Sequence, residues 1–519
     1  MNSDLFAQHR SGGFAGPTHP NLVIAAMCAS VVLIIAAVAS LSPVLATIGG
    51  ELQPTQTELQ WVVDAFAVTL AALLLPMGAL GDRFGRRRIM LAGFAIFVAA
   101  AAWGALANDL ASLIASRALG GVGAALIFPG TLATLTATMP RERRGLAIGL
   151  WTASAALGGT IGMVIAGGLV EFFWFGSVFV FLAAAGVMTG VMTFAFVPET
   201  SDPGHAHVDP IGSLLSMIGV GALVVGVIEG PIRGWFDSLT VMGLSIGVVL
   251  LATFAWWELR VSAPLLDVRL FRSRSFSTGS LLVFSQFFVV FGYFFVAAQY
   301  LGFVREYSPF QIAAALLPVG VLLPVMSMRA PAWSARWGRG KVGALGLVFM
   351  ALATGLFALM GQDTPYWMFA LALVVFGAGM GLSGPPGTEA IVESLPAAKQ
   401  GVASAMNDVS RELGGAVGIA LIGSALTVGY RSSVDHQSAG LDPALVEATR
   451  NSAAGGLAKA EQAGSSAPAV LDVVQQALVD GFAAAMAVAT ALLLVAAVIV
   501  ALRTPNASEE SALDVEGVA

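Results

Sequence analysis

Long runs of uncharged, apolar residues recur fourteen times along this sequence of 519 residues. An α-helix needs about 20 apolar residues to cross the hydrocarbon core of a bilayer, and each run is long enough. Only 11% of the residues are charged, against about 25% in an ordinary soluble domain. The chain is therefore predicted to be an all-α membrane protein with fourteen transmembrane helices. The predicted spans, numbered one to fourteen, are 22–48, 59–79, 89–107, 110–137, 145–169, 177–197, 211–228, 238–257, 276–300, 311–331, 341–360, 366–387, 401–428 and 480–502.

Basic residues predict the orientation, because loops on the cytoplasmic side retain Lys and Arg. Eighteen of the 25 Lys and Arg residues fall on the side shared by the two termini and five on the opposite side. The remaining two, Arg117 and Arg411, lie inside spans. Both termini are therefore predicted to be cytoplasmic. The expected location is the cell membrane, as a multi-pass protein of the bacterial inner membrane.

Several functional classes find no support in the sequence. The net charge of −6 argues against a nucleic-acid partner. The single Cys28 permits no internal disulfide, and His and Cys are too few for a metal framework. The Gly-rich stretches lack the Gly-Lys-Ser/Thr ending of a phosphate-binding loop, so ATP is not expected to be the energy source. No pair of nucleophile and base is visible, which disfavours an enzyme or a receptor, and no cofactor is expected.

An internal repeat divides the chain. The stretch LGGTIGMVIAGG (157–168) in span five returns as LGGAVGIALIGS (413–424) in span thirteen, 256 residues later. The stretch ALGDRFGRR (79–87) aligns with AWSARWGRG (332–340) at an offset of 253 residues, with Ala335 in place of Asp82. The two similar offsets predict two six-helix pseudo-repeat halves, with spans seven and eight inserted between them. Parallel repeats of this kind are typical of alternating-access transporters, whose substrate site lies between the halves.

The predicted organisation follows from this repeat. The second half contains an Ala-, Gly- and Ser-rich outer loop, which is expected to be disordered or weakly helical. The segments are a cytoplasmic N-terminal tail (1–21), an N-terminal six-helix half (22–197), two inserted helices with linkers (198–275), a C-terminal six-helix half (276–503) that contains the outer loop (431–477), and an acidic cytoplasmic tail (504–519).

The densest charge cluster separates spans two and three. The stretch GALGDRFGRRR (78–88) resembles the signature loop of the major facilitator superfamily, and with fourteen spans the chain resembles that superfamily's drug:proton antiporters. The resemblance implies that this loop latches the cytoplasmic ends of the two halves together. A loop that only fixes topology would explain the arginines but not the acid and the glycines. The matching residues are Gly78, Asp82, Arg83, Gly85, Arg86 and Arg87.

The resemblance also implies a function. We expect proton-coupled export of amphipathic small molecules by rocking of the two halves. The expected partners are a small-molecule substrate, protons and the lipid bilayer, and the protein is expected to work as a monomer. The alternative is uptake or facilitated diffusion of a metabolite by the same fold. That alternative is supported by the loss of an acid in span one, where Ala37 stands at the position of the family's usual Asp.

Two further motifs carry functional expectations. The stretch RALGGVGAA (117–125) in span four resembles the family's second motif, which implies a role for Arg117 in proton transfer; the alternative is a structural ion pair. Small residues in spans five and thirteen are expected to allow close helix packing and a bendable interface between the halves. Ordinary packing of small residues is the alternative. These glycines are Gly149, Gly158, Gly162, Gly167, Gly414 and Gly418.

If the protein is driven by protons, another acid must replace the one missing at Ala37. Asp64 in the stretch WVVDAF of span two is the first candidate for the proton carrier, with Arg117 modulating its proton affinity. Glu171, at the outer end of span five, is the second candidate, although an interfacial position alone would explain it.

A charged cluster in span thirteen has no counterpart in span five. Asp408, Arg411 and Glu412 align with Thr152, Ala155 and Ala156, and Arg411 lies about 15 Å into the membrane along the helix. Charges at that depth are costly unless they face a cavity or one another. The cluster is predicted to supply a second titratable site, with Glu412 as the acid that Arg411 does not satisfy. A fixed ion pair that anchors span thirteen is the alternative.

Overall fold

The structure, a computed structural model, describes residues 19–41, 44–52, 56–201, 209–262, 264–395, 400–438, 441–451, 453, 456, 459 and 467–504. These residues form helices and connecting turns, and no β-strand occurs among them. The α-helices are α1 (Pro20–Ala39), α2 (Leu45–Leu52), α3 (Gln56–Phe84), α4 (Arg86–Ala105), α5 (Leu110–Thr138), α6 (Arg141–Phe172), α7 (Gly176–Phe196), α8 (Pro210–Arg233), α9 (Ser238–Glu258), α10 (Arg274–Gln299), α11 (Pro309–Ala315), α12 (Leu323–Trp337), α13 (Arg339–Ala358), α14 (Tyr366–Glu393), α15 (Gln400–Gln437), α16 (Pro443–Asn451) and α17 (Ala467–Arg503).

Fourteen helical segments in the described residues are long and apolar enough to cross a membrane, which confirms the predicted number of spans. Helix α1 corresponds to span one and α3–α10 to spans two to nine. Helices α11 and α12 together form span ten, α13–α15 form spans eleven to thirteen, and α17 forms span fourteen. The prediction of an all-α membrane protein is confirmed.

Span ten is not one continuous α-helix. A 3₁₀ turn at Leu317–Gly320 separates α11 from α12. Pro318 lies in this turn and Pro324 opens α12. Proline lacks the backbone N–H that would donate to the carbonyl four residues earlier, so the two prolines interrupt the helical hydrogen-bond ladder.

Helical structure extends into both ends of the segment predicted as an outer loop (431–477). Helix α15 continues to Gln437, and α17 already begins at Ala467. Polar contacts join the extension of α15 to α17: the Ser433 hydroxyl donates to Asp480 Oδ2 at 2.6 Å, and Gln437 Nε2 donates to the same oxygen at 3.3 Å. The extensions therefore stabilise each other beyond the apolar part of each helix.

The core is organised as two large hydrophobic clusters. The first is centred on α1 and α3–α7, and the second is centred on α10 and α13–α17. Side chains of α10 and α15 contribute to both clusters. Helices α8 and α9 pack against each other, and α8 also packs against α3 and α15. The inserted pair therefore lies beside one helix from each predicted half.

Helices α3 and α4 meet at Gly85, and we call the end of the bundle that carries residues 82–88 the basic end. Gly85 has a φ angle of +105°, a conformation that residues with a side chain rarely adopt. The first residues of α6 lie near the start of α1, because Arg143 Nη1 is 3.4 Å from Asn21 Oδ1. Thr504, after the end of α17, lies against Gly340 at the start of α13.

Candidate functional site

Asp82 joins the two predicted halves at the basic end. Its carboxylate is buried and accepts backbone hydrogen bonds from Gly401 N at 2.8 Å and Val402 N at 3.2 Å. These N–H groups lie in the first turn of α15, where helical N–H groups have no partner within the helix. Asp82 therefore caps α15 from the end of α3. The sequence predicted a loop at this position, but Asp82 lies in the last turn of α3 and only Gly85 separates α3 from α4.

The cap depends on close backbone approach between α3 and α15. A Cβ atom added to Gly78 would lie 2.6 Å from Gly401 O and 2.9 Å from Ala405 Cβ. A Cβ atom on Gly401 would lie 2.7 Å from Asp82 Cγ. Real Cβ atoms essentially never come so close to other heavy atoms, so both glycines are needed for this geometry.

The arginines of the motif occupy different environments. Arg86 is buried and donates to Asp82 Oδ1 from Nε at 2.9 Å and from Nη2 at 2.6 Å. Arg87 binds the end of α7: its backbone N donates to Glu199 Oε1 at 3.1 Å, and its Nη2 donates to Phe194 O at 2.6 Å. Arg83 is exposed. Only Arg86 takes part in the contact with Asp82, and the role of Glu199 was not predicted from the sequence.

A second contact between the predicted halves lies at the basic end. Gly145 of α6 faces Pro331 of α12, because a Cβ on Gly145 would lie 2.8 Å from Pro331 Cβ. The same Cβ would lie 3.2 Å from Glu389 Oε1 of α14, and Glu389 Oε2 lies 3.7 Å from Arg339 Nε. Gly145 and Pro331 correspond in the repeat to Gly401 and Gly78. In the repeat, Ala335 stands where the first half has Asp82, so α12 supplies no acid to this contact. The Glu389 carboxylate of α14 lies beside the contact instead. The sequence did not predict a role for Glu389.

The glycines of α6 face two different neighbours. Gly149 lies against the Ser327 carbonyl of α12, in the other half. Gly158 lies against Val32 and Ile35 of α1, and Gly162 lies against Ala36 of the same helix. Close packing is therefore seen at Gly149, Gly158 and Gly162, and of these three only Gly149 contacts the other predicted half. Gly167 is half-buried.

The two glycines of α15 pack within the second half. Gly414 lies against the backbone of Phe284 and Gly418 against that of Phe288, both on α10. Helix α15 thus packs on α10 through glycines in the way that α6 packs on α1. The equivalent positions in the repeat make equivalent contacts.

Arg117 is buried against α3 near Asp64. Its Nε donates to Val62 O at 3.2 Å, and its guanidinium lies 4.5 Å from the centre of the Phe66 ring. Both residues are within one helical turn of Asp64, which is half-buried on α3. Residues two positions apart on a helix do not share a face, so these contacts show no pairing of Arg117 with Asp64, and that pairing stays a prediction. Glu171 is instead exposed in the last turn of α6.

The charged cluster of α15 lies in the interior. Asp408 and Arg411 are buried, with Arg411 Nη1 3.9 Å from Asp408 Oδ1, and Glu412 is half-buried. Asp408 Oδ1 also accepts a hydrogen bond from Asn407 Nδ2 at 3.2 Å. Asp408 Oδ2 and Arg411 Nε have no hydrogen-bond partner among the described residues. Asp408 and Arg411 are three residues apart on one face of α15, but the distance between Nη1 and Oδ1 exceeds hydrogen-bond length.

Three aromatic rings surround the Arg411 guanidinium. Its Cζ lies 4.3 Å from the ring centre of Phe287, 5.1 Å from that of Phe128 and 5.3 Å from that of Trp151. Phe128 and Trp151 belong to α5 and α6, whereas Phe287 belongs to α10. Helices of both predicted halves therefore contribute to the surroundings of Arg411. The sequence indicated the charge of Arg411 but gave no signal for these three partners.

Further polar groups lie between the halves near this cluster. The Gln286 amide of α10 accepts a hydrogen bond from the Ser383 hydroxyl of α14 at 2.8 Å. Gly384 lies against both Gln286 and Thr152 of α6. Gln286 Nε2 and Thr152 Oγ1 are buried without a hydrogen-bond partner in the described part of the chain. Among those same residues, no group of three His, Cys, Asp or Glu side chains is placed to hold a metal ion.

Comparison with known proteins identifies related sequences. A family model described as Major Facilitator Superfamily matches residues 27–419. The multidrug efflux pump LfrA of Mycolicibacterium smegmatis is 31% identical over 488 residues, which cover 93% of this chain and 96% of that protein. The methyl viologen resistance protein SmvA of Salmonella typhimurium is 31% identical over 463 residues, covering 87% of this chain and 92% of that protein. The methylenomycin A resistance protein of Streptomyces coelicolor is 31% identical over 382 residues, covering 73% and 80%.

Solved structures share the fold. The human organic anion transporter MFSD10 superposes with a TM-score of 0.62 at 14% identity, over 93% of this chain and 99% of that chain. The proton:xylose symporter XylE superposes with a TM-score of 0.59 at 13% identity, over 94% of this chain and 96% of that chain. At such low identities the likeness concerns the fold alone.

Proposed function

We propose that this chain, which belongs to the major facilitator superfamily, is a proton-coupled exporter of amphipathic small molecules. Related sequences of similar length are named as efflux or resistance proteins, which supports export over uptake or facilitated diffusion of a metabolite. In this proposal the protein is a transporter and not an enzyme, and it works as a monomer. It spans the bacterial cell membrane with both termini, and hence the basic end, in the cytoplasm.

The buried cluster of α15 is the observation that carries the proposal. Two acids and one arginine lie deep in an apolar protein, where a charged side chain costs roughly 2.5–3.5 kcal/mol on insertion scales. The cluster lies where α5, α6, α10 and α15 meet, so its charge state acts on both halves. A proton that binds Asp408 or Glu412 changes the charge that faces Arg411. Coupling of protonation to movement of the halves follows from this placement.

The proposed cycle uses the two six-helix halves, 22–197 and 276–503, as rocking units. In the described arrangement the halves meet at the basic end through Asp82 and α15 and through Gly145 and Pro331. These contacts must separate before substrate enters from the cytoplasm. Asp82 and Arg86 therefore act as a latch in this proposal, and the proton carried by the inner acids supplies the energy that resets it.

The test uses inside-out vesicles from cells that express the full chain. Ethidium accumulation is followed by fluorescence after a proton gradient has been imposed, and again after an ionophore has dissipated it. We expect accumulation that requires the gradient and is missing from vesicles without the protein. Equilibration that is insensitive to the gradient would support the facilitated-diffusion alternative instead. Acid-driven accumulation in right-side-out vesicles would support uptake.

A further inference from the structure

The Arg411 guanidinium lies in an aromatic cage, which we define as the rings of Phe128, Trp151 and Phe287. All three rings are buried. Phe128 and Trp151 stack on each other with centres 6.1 Å apart, and the Trp151 indole N–H donates to Thr131 Oγ1 at 2.9 Å. The Phe128 and Trp151 rings are thus held in place by contacts that do not involve Arg411. Aromatic rings that surround a cation attract it through the negative potential of the ring faces.

The polar contacts of Arg411 are incomplete. Its closest carboxylate oxygen, Asp408 Oδ1, is 3.9 Å from Nη1, beyond hydrogen-bond length. Arg411 Nε and Asp408 Oδ2 are both buried and have no partner in the described part of the chain. An arginine that served only as an anchor would be expected to make a short, two-pronged pair with its acid. The guanidinium instead has the three rings as its main contacts.

The ionised cluster lacks one positive charge. Asp408 and Glu412 together with Arg411 carry one net negative charge when all three are ionised. A single positive charge, from a proton or from a bound molecule, neutralises the cluster. Because Phe128 and Trp151 come from one half and Phe287 from the other, a molecule in the cage would contact both halves.

We propose that the aromatic cage is a binding subsite for the cationic group of an organic cation, and that Arg411 occupies this subsite when no substrate is bound. The inference rests on the proposed function and names the substrate class of that transporter. Entry of the substrate displaces the guanidinium toward Asp408. The guanidinium leaves the rings in this movement, and Nη1 approaches Asp408 Oδ1 from 3.9 Å to hydrogen-bond length. The acid that is only partly satisfied in the empty transporter thereby receives Arg411 as a full partner.

The first experiment measures equilibrium binding of ethidium, a planar permanent cation, to the purified full-length protein by fluorescence polarisation. Phe287→Leu removes the nearest ring and keeps an apolar side chain, so we expect Kd to rise roughly 3- to 30-fold. Phe287→Tyr keeps the ring face and should bind within about twofold of the wild type. Phe376→Leu is the matched control. Phe376 is equally buried, and its ring packs against Tyr293 with centres 5.0 Å apart, outside the cage.

The second experiment separates a competitor from an anchor. If Arg411 occupies the cation subsite, Arg411→Met should bind ethidium more tightly than the wild type while losing transport, because the cage is vacated. An anchoring role predicts weaker binding together with a lower melting temperature. Binding of the neutral fluorophore N-phenylnaphthylamine should change little in Phe287→Leu, because a neutral molecule gains nothing from the cation–π attraction.

The outcomes distinguish this inference from the proposed function. Unchanged ethidium affinity in Phe287→Leu and in Phe128→Leu, measured on folded protein, would overturn the subsite even if vesicle export is fully active. Weaker cation binding in both variants would uphold the subsite even if export proves independent of the proton gradient, in which case only the proposed coupling fails. An equal loss of affinity for the cation and the neutral probe would also overturn it.

Discussion

At the scale of single residues, the buried charges of this chain differ in how fully they are satisfied. Both carboxylate oxygens of Asp82 accept hydrogen bonds, from the N-terminus of α15 on one side and from Arg86 on the other. Asp408 and Arg411 keep unpartnered atoms. A satisfied buried charge stabilises one arrangement, whereas an unsatisfied one is stabilised by any change that supplies a partner. The first kind suits a latch and the second suits a site that exchanges ions.

Asp82→Asn should lower transport while leaving the protein inserted and expressed. Asparagine keeps an acceptor for Gly401 N, but it loses the charge that binds Arg86 and that favours the N-terminus of α15. Vesicle transport normalised to protein amount is the measurement. Arg88→Gln is the control, because Arg88 is exposed and its pair with Glu199, at 3.6 Å, is a surface pair of little worth. Wild-type transport by Asp82→Asn would leave only the topogenic role of the motif.

Asp64→Asn should abolish proton-driven transport and spare exchange of substrate across the membrane without a gradient. An amide cannot take up or release the proton, but it preserves the size of the side chain on α3. Counterflow of preloaded ethidium measures exchange, and gradient-driven accumulation measures coupling. The matched control is Glu171→Gln at the exposed end of α6. Loss of coupling in Glu171→Gln with full coupling in Asp64→Asn would transfer the carrier role to Glu171.

Asp408→Asn and Glu412→Gln should each alter the pH dependence of transport separately from its maximal rate. Each change removes one acid that faces Arg411 and so changes the number of protons the cluster can bind. Transport rates measured from about pH 5.5 to about pH 8.5 provide the test, because the pH profile reports the groups that must gain or lose a proton. Unchanged pH profiles in both variants, with a lower melting temperature, would identify an ion pair that only anchors α15.

At the scale of helices, the contact between α3 and α15 is defined by backbone approach. Gly78 and Gly401 face each other so closely that neither has room for a methyl group. The α6–α12 contact is of the same kind, with Gly145 against Pro331. Close approach brings the Asp82 carboxylate within reach of the first N–H groups of α15. The function of the acid therefore depends on the glycines that precede and face it.

Gly401→Ala should disrupt the latch as strongly as Asp82→Asn, because the new methyl group would press on the Asp82 carboxylate and force α3 and α15 apart. We expect a destabilisation of about 1–3 kcal/mol, the usual range for an overpacked buried position. Thermal unfolding in detergent and vesicle transport are the measurements. Gly168→Ala is the control, since a Cβ there has nothing within 4 Å. Equal effects of Gly401→Ala and Gly168→Ala would show that the close approach of α3 and α15 is not required.

At the scale of the whole molecule, the structure holds its two sets of helices together at the basic end by two separate contacts. One uses the carboxylate of Asp82 and the other lies beside the carboxylate of Glu389. The buried cluster around Arg411 lies deeper along α15. A rocking cycle requires both end contacts to open together, since either one alone would hold that end closed.

The double variant Asp82→Asn/Glu389→Gln tests this arrangement. The Asp82 carboxylate binds Arg86 and the first turn of α15, whereas the Glu389 carboxylate lies near Arg339, so the effects of the two substitutions on the free energy of unfolding should add to within about 0.5 kcal/mol. Melting temperatures of the two single variants and the double variant provide the measurement, with Glu171→Gln at the exposed end of α6 as the control. A double variant no less stable than Asp82→Asn alone would show that Glu389 does not support the closed end.

The number of spans and the position of the basic motif could be read from the sequence because a bilayer imposes strict local rules. A spanning helix needs a certain length of apolar residues, and it satisfies its own backbone hydrogen bonds. Arg411 and Asp408 stood out for the same reason, since a charge inside a span is locally conspicuous. The break at Pro318 and the helical extension to Gln437 were less visible, because each depends on how far a helix continues beyond its apolar part.

Only the tertiary structure decided the contacts between segments that are distant in the sequence. The Asp82 carboxylate meets the backbone of Gly401, 319 residues away, and no local pattern marks Gly401 as its partner. The rings around Arg411 come from three other helices, and an apolar Phe or Trp in a membrane helix is unremarkable until a cation lies against it. The apolar residues of each span by themselves determine that it is solvated by lipid, whereas the pairing of one buried group with another depends on how the helices pack.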